Sequence, residues 1–181
     1  MGQYFLVVNL DKKQYLSPHS LADGAKLLEL EKGTPVAFFV LASQGAPDLG
    51  SVAGRWAGDR IVVAGDWGEE EHLLPAAEVR AFRKKHPGEP ANVYGVASAL
   101  YKDVSFEVLE KLLAIDFVRE LLGARVKKVL SFQADFSTQK DRRKIERVLA
   151  QLDKKRPGGR KAARRAPATK PRRASPTRGR N

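Results

Sequence analysis

The sequence predicts an α+β fold: one domain with a mixed sheet of five or six strands and about four helices, followed by a disordered basic tail. Three observations lead there. Short runs such as "YFLVVNL" (4–10) carry apolar residues on both parities, as strands buried on both faces do. Other segments repeat their apolar residues at helical spacing, so helices must cover that sheet. Residues 154–181 contain no Leu, Ile, Val or aromatic residue and have nothing to bury. A three-layer α/β sandwich is the alternative arrangement of these elements.

Taken in order, residues 4–10 and 35–42 ("PVAFFVLA") read as mid-sheet strands. Between them Ser20, three residues ahead of Asp23, opens a helix that continues through Ala25, Leu27, Leu28 and Leu30 and ends before Gly33. Gly58 and Asp59 then separate two strand-like runs by two residues, which predicts a type II′ hairpin pairing 52–57 with 60–64, with Gly58 at positive φ. A helix follows from about Pro75 to Lys85, stopped by "HPGEP", and 92–98 returns as a strand. Ser105 caps a long apolar helix whose C′ residue is Gly123, and 126–132 forms the last strand. A final helix starts after Ser137 with Ile145, Val148, Leu149 and Leu152 on one stripe. Pro157, Gly158 and Gly159 bar its extension, so the globular domain spans 1–155 and the tail 156–181.

Charge divides the chain more sharply than hydrophobicity does. Residues 1–153 hold 21 Lys/Arg and 21 Asp/Glu, whereas 154–181 hold 12 Lys/Arg and no acid, which is the whole net charge of +12. A flexible cationic segment binds a polyanion by releasing its condensed counterions, and needs no folded pocket to do so. The expected partner is therefore nucleic acid, DNA in preference to RNA, gripped non-specifically by its phosphates. The residues expected to carry this are Lys140, Arg143, Lys144 and Arg147 on the final helix, then Lys154, Lys155, Arg156, Arg160, Lys161, Arg164, Arg165, Lys170, Arg172, Arg173, Arg178 and Arg180. Arginine predominates, and its planar fork suits phosphate and minor-groove contact. In composition the tail resembles those of linker histones and histone-like bacterial proteins, and "SPTR" (175–178) resembles their S-P-x-R/K units.

No cysteine is present, which excludes disulfides and Cys-based zinc sites. The N-terminal stretch "MGQYFLVVNLDKK" has neither the basic start of a signal peptide nor the length of a membrane span. An intracellular protein without membrane insertion is expected, nucleoid-associated in a bacterium or nuclear in a eukaryote. No phosphate loop, dinucleotide fingerprint, nucleophile elbow or zinc-protease motif occurs, so no cofactor is expected. His19, His72 and His86 are too far apart in sequence to suggest a metal site.

The alternative to nucleic-acid association is an enzyme or ligand-binding domain using the region Arg55–Trp67, with the tail as a localising appendage. There Arg55, Trp56, Asp59, Arg60, Asp66 and Trp67 are concentrated, and Asp116 projects into the apolar arc of the Ser105 helix. The competing reading makes Gly58 and Asp59 turn residues and Trp56 a core residue. Two motifs add to this: Gly2, Gln3, Tyr4, Asn9, Leu10, Asp11, Lys12, Pro18, His19, Asp23, Gly24 and Lys26 form the first, and 54–61 with Gly65 and Asp66 the second. They resemble a family of small uncharacterised bacterial proteins over roughly the first 67 residues. Trp67 stands where that pattern has Tyr, and the basic tail is not part of it.

Overall fold

A computed structural model describes residues 3–44 and 51–154. Within them the chain forms four strands and six helices, an α+β domain around one mixed sheet. Strand β1 (Phe5–Asn9) lies inside the sheet, antiparallel to β2 (Gln14–Leu16) on one side and to β3 (Ile61–Gly65) on the other. The short β4 (Lys102–Asp103) adds parallel to β2, giving the order β3-β1-β2-β4. Both faces of β1 are covered, which is why its apolar residues show no alternation. Val7 faces a large core with Leu16, Leu41, Trp56, Leu109, Leu122 and Ile145. Leu6 and Val8 face a smaller one with Ala64, Val79, Phe82, Val93 and Val96. So short a sheet does not make a clear sandwich.

Three expected strands are helices and 52–57 runs as turns, while β2 and β4 were not expected, so among the described residues there are four strands rather than five or six and six helices rather than about four. The first is α1 (Gly33–Ala42), expected as a strand at 35–42. It is apolar nearly all round, so periodicity could not betray it, and Pro35 is tolerated because it stands in the first turn. Its N-terminus is capped from a distance: the buried Asp23 carboxylate accepts the N–H of Gly33 at 3.2 Å and of Thr34 at 2.6 Å. Asp23, expected as a first-turn acid of the Ser20 helix, instead caps the next helix. The segment assigned to the Ser20 helix instead forms two single 3-10 turns, His19–Leu21 and Leu27–Glu29.

Helix α2 (Ala76–Lys85) lies where expected, and α3 (Val93–Leu100) replaces the strand read at 92–98. Asn92 decides this locally, because its side-chain oxygen accepts the N–H of Gly95 at 2.8 Å. The long Ser105 helix breaks in two, α4 (Ser105–Leu112) and α5 (Asp116–Ala134), and α5 absorbs the strand expected at 126–132. Gly123 lies inside α5, where a Cβ would stand 3.2 Å from Leu152 Cδ2, so it admits α6 rather than ending a helix.

Helix α6 (Gln139–Asp153) agrees with the sequence: Ile145 and Val148 are fully buried, Leu149 and Leu152 partly so. Burying two such side chains contributes about 1.5–3 kcal/mol each, enough to hold the helix on the domain. Its cap is Thr138, whose hydroxyl accepts the N–H of Asp141, while Ser137 turns back to the Gln133 carbonyl. Arg119 closes the other end, donating to the carbonyls of Leu152 and Lys154.

The predicted hairpin does not form. Residues 51–58 run as turns along the end of α1, with Gly54 and Trp56 donating to the carbonyls of Val40 and Leu41. Gly58 does take the positive φ expected of it, +80°. Strand β3 finds its partner in β1, some fifty residues upstream, rather than in its neighbour. The expected tail lies outside the described residues.

Candidate functional site

The region Arg55–Trp67 meets the turn after β1. Asp59 lies beside Asn9, whose side-chain amide donates to Asp59 Oδ2 at 2.7 Å, and the same oxygen takes the Lys12 ammonium. Asn9 is itself fully buried, and its oxygen accepts the Lys12 N–H at 2.8 Å. Next to this, Asp11 receives Arg60 three ways: backbone N–H at 2.7 Å, Nε at 2.8 Å and Nη2 at 2.7 Å. Asp59 is held below the usual carboxylate range by the hydrogen bonds from Lys12 and Asn9, and Asp11 by those from Arg60. Two sequence motifs fifty residues apart therefore form one polar clamp joining the β1–β2 turn to the start of β3. Each acid is ionised and engaged, which suits holding the backbone rather than moving a proton.

The seven residues expected around one pocket are not brought together. Trp56 is buried in the larger core, with its indole N–H on Gln14 Oε1 at 2.9 Å. Arg55 points to Glu107 at 2.5 Å, and Glu107, which also takes Lys102 at 3.0 Å, is pulled below the usual glutamate value by Arg55 first and Lys102 second. Asp66 stands at the far end of β3 from Asp59, on the order of 20 Å away at ~3.4 Å per residue. There its Oδ1 accepts the Tyr4 N–H, and Trp67 is exposed. Asp116 is not in an apolar arc: the helix breaks before it, so it begins α5 on the surface.

Helix α6 presents its cations outward, as its apolar stripe requires, but acids are interleaved with them. Lys144 pairs with Asp141 at 2.9 Å and lies 5.5 Å over the Phe106 ring, Arg142 with Glu146 at 3.3 Å, and Arg147 with Glu110 of α4 at 3.4 Å. Lys144 is the main reason Asp141 is pulled below the usual aspartate value. Lys140 and Arg143 make no ion pair among the described residues and are exposed. Lys154 is exposed at the helix end; Lys155, Arg156, Arg160, Lys161, Arg164, Arg165, Lys170, Arg172, Arg173, Arg178 and Arg180 lie outside the described residues.

Sequence reasoning missed an aromatic corner at the α5–α6 turn. Phe132 and Phe136 are 69% and 79% exposed, their ring centroids 5.3 Å apart, beside the cationic first turn of α6. With His19, Phe106 and Asp141 they line a shallow cleft of about 490 Å³. The signal was the i, i+4 spacing of two Phe residues, obscured by the strand expected there.

Elsewhere Tyr101 donates to Glu78 at 2.5 Å; burial, then that carboxylate, raise its phenol well above the ordinary tyrosine value. Tyr15 is pushed up to about 12, mainly by burial. His86 stacks on Phe82 at 4.7 Å between centroids. Among the described residues no three His, Asp or Glu side chains are grouped to hold a metal ion, and no helix is long and apolar enough to cross a membrane. No family model, curated protein or solved structure matches this chain.

Proposed function

We propose that the protein associates with nucleic acid, DNA in preference to RNA, through non-specific contacts between its C-terminal Lys and Arg residues and the phosphate backbone. The observation that carries this is the partition of charge. Residues 137–181 hold 17 Lys/Arg against 3 Asp/Glu, while the remainder of the chain is slightly acidic. Such an excess gains free energy on any polyphosphate by counterion release. Helix α6 supports the reading more modestly than its composition suggests, since among the described residues only Lys140 and Arg143 of its cations make no ion pair. Phe132 and Phe136 offer ring faces on which unstacked bases can lie. On this reading the protein resides on the nucleoid of a bacterium or in the nucleus of a eukaryote.

Fluorescence anisotropy with two unrelated duplexes across a salt series tests it. With about half of the twelve terminal cations engaged, the slope of log K against log salt is expected near −5. Removing residues 156–181 takes away ten cations and should weaken binding more than about tenfold at ~100 mM salt, flattening the slope. The two duplexes should bind alike, because phosphate contacts do not read bases. Affinity unchanged by truncation would reject the proposal.

A further inference from the structure

We infer that the free edge of β3 is where two copies of this chain join, antiparallel, into one continuous sheet. This does not rest on the nucleic-acid reading.

Strand β3 is the end strand of the sheet, and among the described residues nothing pairs with its outer side. Flanking bonds fix which backbone groups face outward. Leu10 N–H donates to the Arg60 carbonyl and Asp66 N–H to the Tyr4 carbonyl, both at 3.0 Å. Residues 60, 62, 64 and 66 thus direct their backbone groups to β1, and Ile61, Val63 and Gly65 direct theirs to the free edge. An antiparallel copy centred on Val63 sets Val63 opposite Val63 and Ile61 opposite Gly65, so outward groups meet outward groups. The Gly65 carbonyl also receives Gly68 N–H, which leaves its own N–H for the copy.

The same register makes the edge self-complementary in charge. Arg60 at one end of the strand falls opposite Asp66 of the other copy, and Asp66 opposite its Arg60, giving two cross-strand pairs of opposite sign around the two-fold axis. Both occupy non-hydrogen-bonded positions, where opposed side chains approach most closely. Arg60 keeps an exposed guanidinium despite its bond to Asp11, and only one oxygen of Asp66 is engaged by Tyr4.

The apolar surface agrees. Between α1 and β3 lies a groove of about 320 Å³ walled by Phe38, Phe39, Ile61 and Val63. Phe39 is 68% and Val63 48% exposed. A two-fold axis normal to the sheet places the same face of both copies side by side, so these walls meet their counterparts. The strand itself, "IVVAG", carries none of the lysines, prolines or bulges by which monomeric proteins guard an open edge.

Analytical ultracentrifugation of the full chain over a dilution series tests the inference, with a reversible dimer of twice 20.0 kDa expected. Arg60→Asp gives an edge acidic at both ends, and Asp66→Arg one basic at both ends. Each alone should dimerise about tenfold or more weaker, while an equimolar mixture should regain the dimer as a heterodimer, since every opposed pair is again of opposite sign. Mixing cannot repair a misfolded variant, so rescue separates the interface from a folding defect. Val63→Lys, at an exposed position on the axis, should also abolish the dimer while leaving the circular dichroism spectrum unchanged. A wild-type chain monomeric at every concentration, a dimer that survives Val63→Lys, or folded charge variants that mixing does not rescue would each overturn it.

Discussion

The β1–β2 turn and the outer face of α6 are both crowded with charge, yet they use it differently. At the turn, Asp11 and Asp59 are each satisfied by several donors from another part of the chain, and a fully buried Asn9 depends on one of them. On α6 the pairs are short-range or singly bonded, exposed for Arg142 with Glu146 and partly buried for Lys144 and Glu110, and two cations make no ion pair among the described residues. The difference shows that counting charges does not locate a binding surface. What matters is whether removing the partner would strand a buried group or merely release a solvated one.

The buried extreme should be the costliest to break. Asp23→Ala strands the N–H groups of Gly33 and Thr34 beneath the surface, and each orphan costs about 1–3 kcal/mol. A total near 2–6 kcal/mol is expected by urea unfolding, with helix lost around α1. Gly58→Val comes next: φ of +80° is strained for a β-branched residue, at about 1–3 kcal/mol. Among the described residues no atom lies within 4 Å of its missing Cβ, so the loss will be backbone strain rather than collision, and Gly58→Asn should recover part of it.

A subtler test acts on the clamp's charge. Asp59 has its folded pKa lowered below the ordinary 3.8, so its contribution is present above that pH and disappears as pH falls through the folded value. In Asp59→Asn the acceptor for Asn9 can remain while the charge facing Lys12 is gone. The stability gap between wild type and variant, measured by thermal unfolding, should therefore be constant near neutrality and close below pH 3.8. A gap that persists in strong acid would mean that the shape of the side chain, not its charge, matters there.

The same contrast explains what could be read in advance. β1, α2 and α6 were legible because each carries its pattern in its own residues, and so were the burial of Trp56 and the turn at Gly58. Helices α1 and α3 were not, being short segments whose burial on several sides erases the 3.6-residue period. Nor was β3's pairing: Gly58 and Asp59 signalled a local hairpin, while the strand's partner came from the first ten residues. Asp23 looked like a first-turn acid because sequence shows only neighbours, and its hydrogen bonds reach nine, ten and eleven residues ahead. Of the candidate site, the charge of the C-terminal end was visible throughout, and so was the i,i+4 and i,i+3 spacing that pairs Arg142 with Glu146 and Lys144 with Asp141, whereas the acid that occupies Arg147, Glu110, became visible only once α4 and α6 were packed together.

The smallest effect is the one that bears most directly on function. If Glu110 and Glu146 occupy Arg147 and Arg142, then Glu110→Gln with Glu146→Gln should release both cations and remove two charges that repel phosphate. The exposed Arg142–Glu146 pair is worth about 0–1 kcal/mol, and at the half-buried Glu110 the neutral amide keeps an oxygen for Arg147, so stability should change little. Duplex DNA should bind a few-fold more tightly, and the salt slope should steepen by about 1–2, since as many as two further phosphates can be neutralised. Arg143→Gln, which removes a cation without an ion pair among the described residues, should lower affinity and shift the slope by about 1 the other way. Anisotropy titrations of both variants at matched salt decide whether α6 takes part. Opposite displacements place the helix on the phosphate track, whereas no change in either confines binding to the residues beyond it.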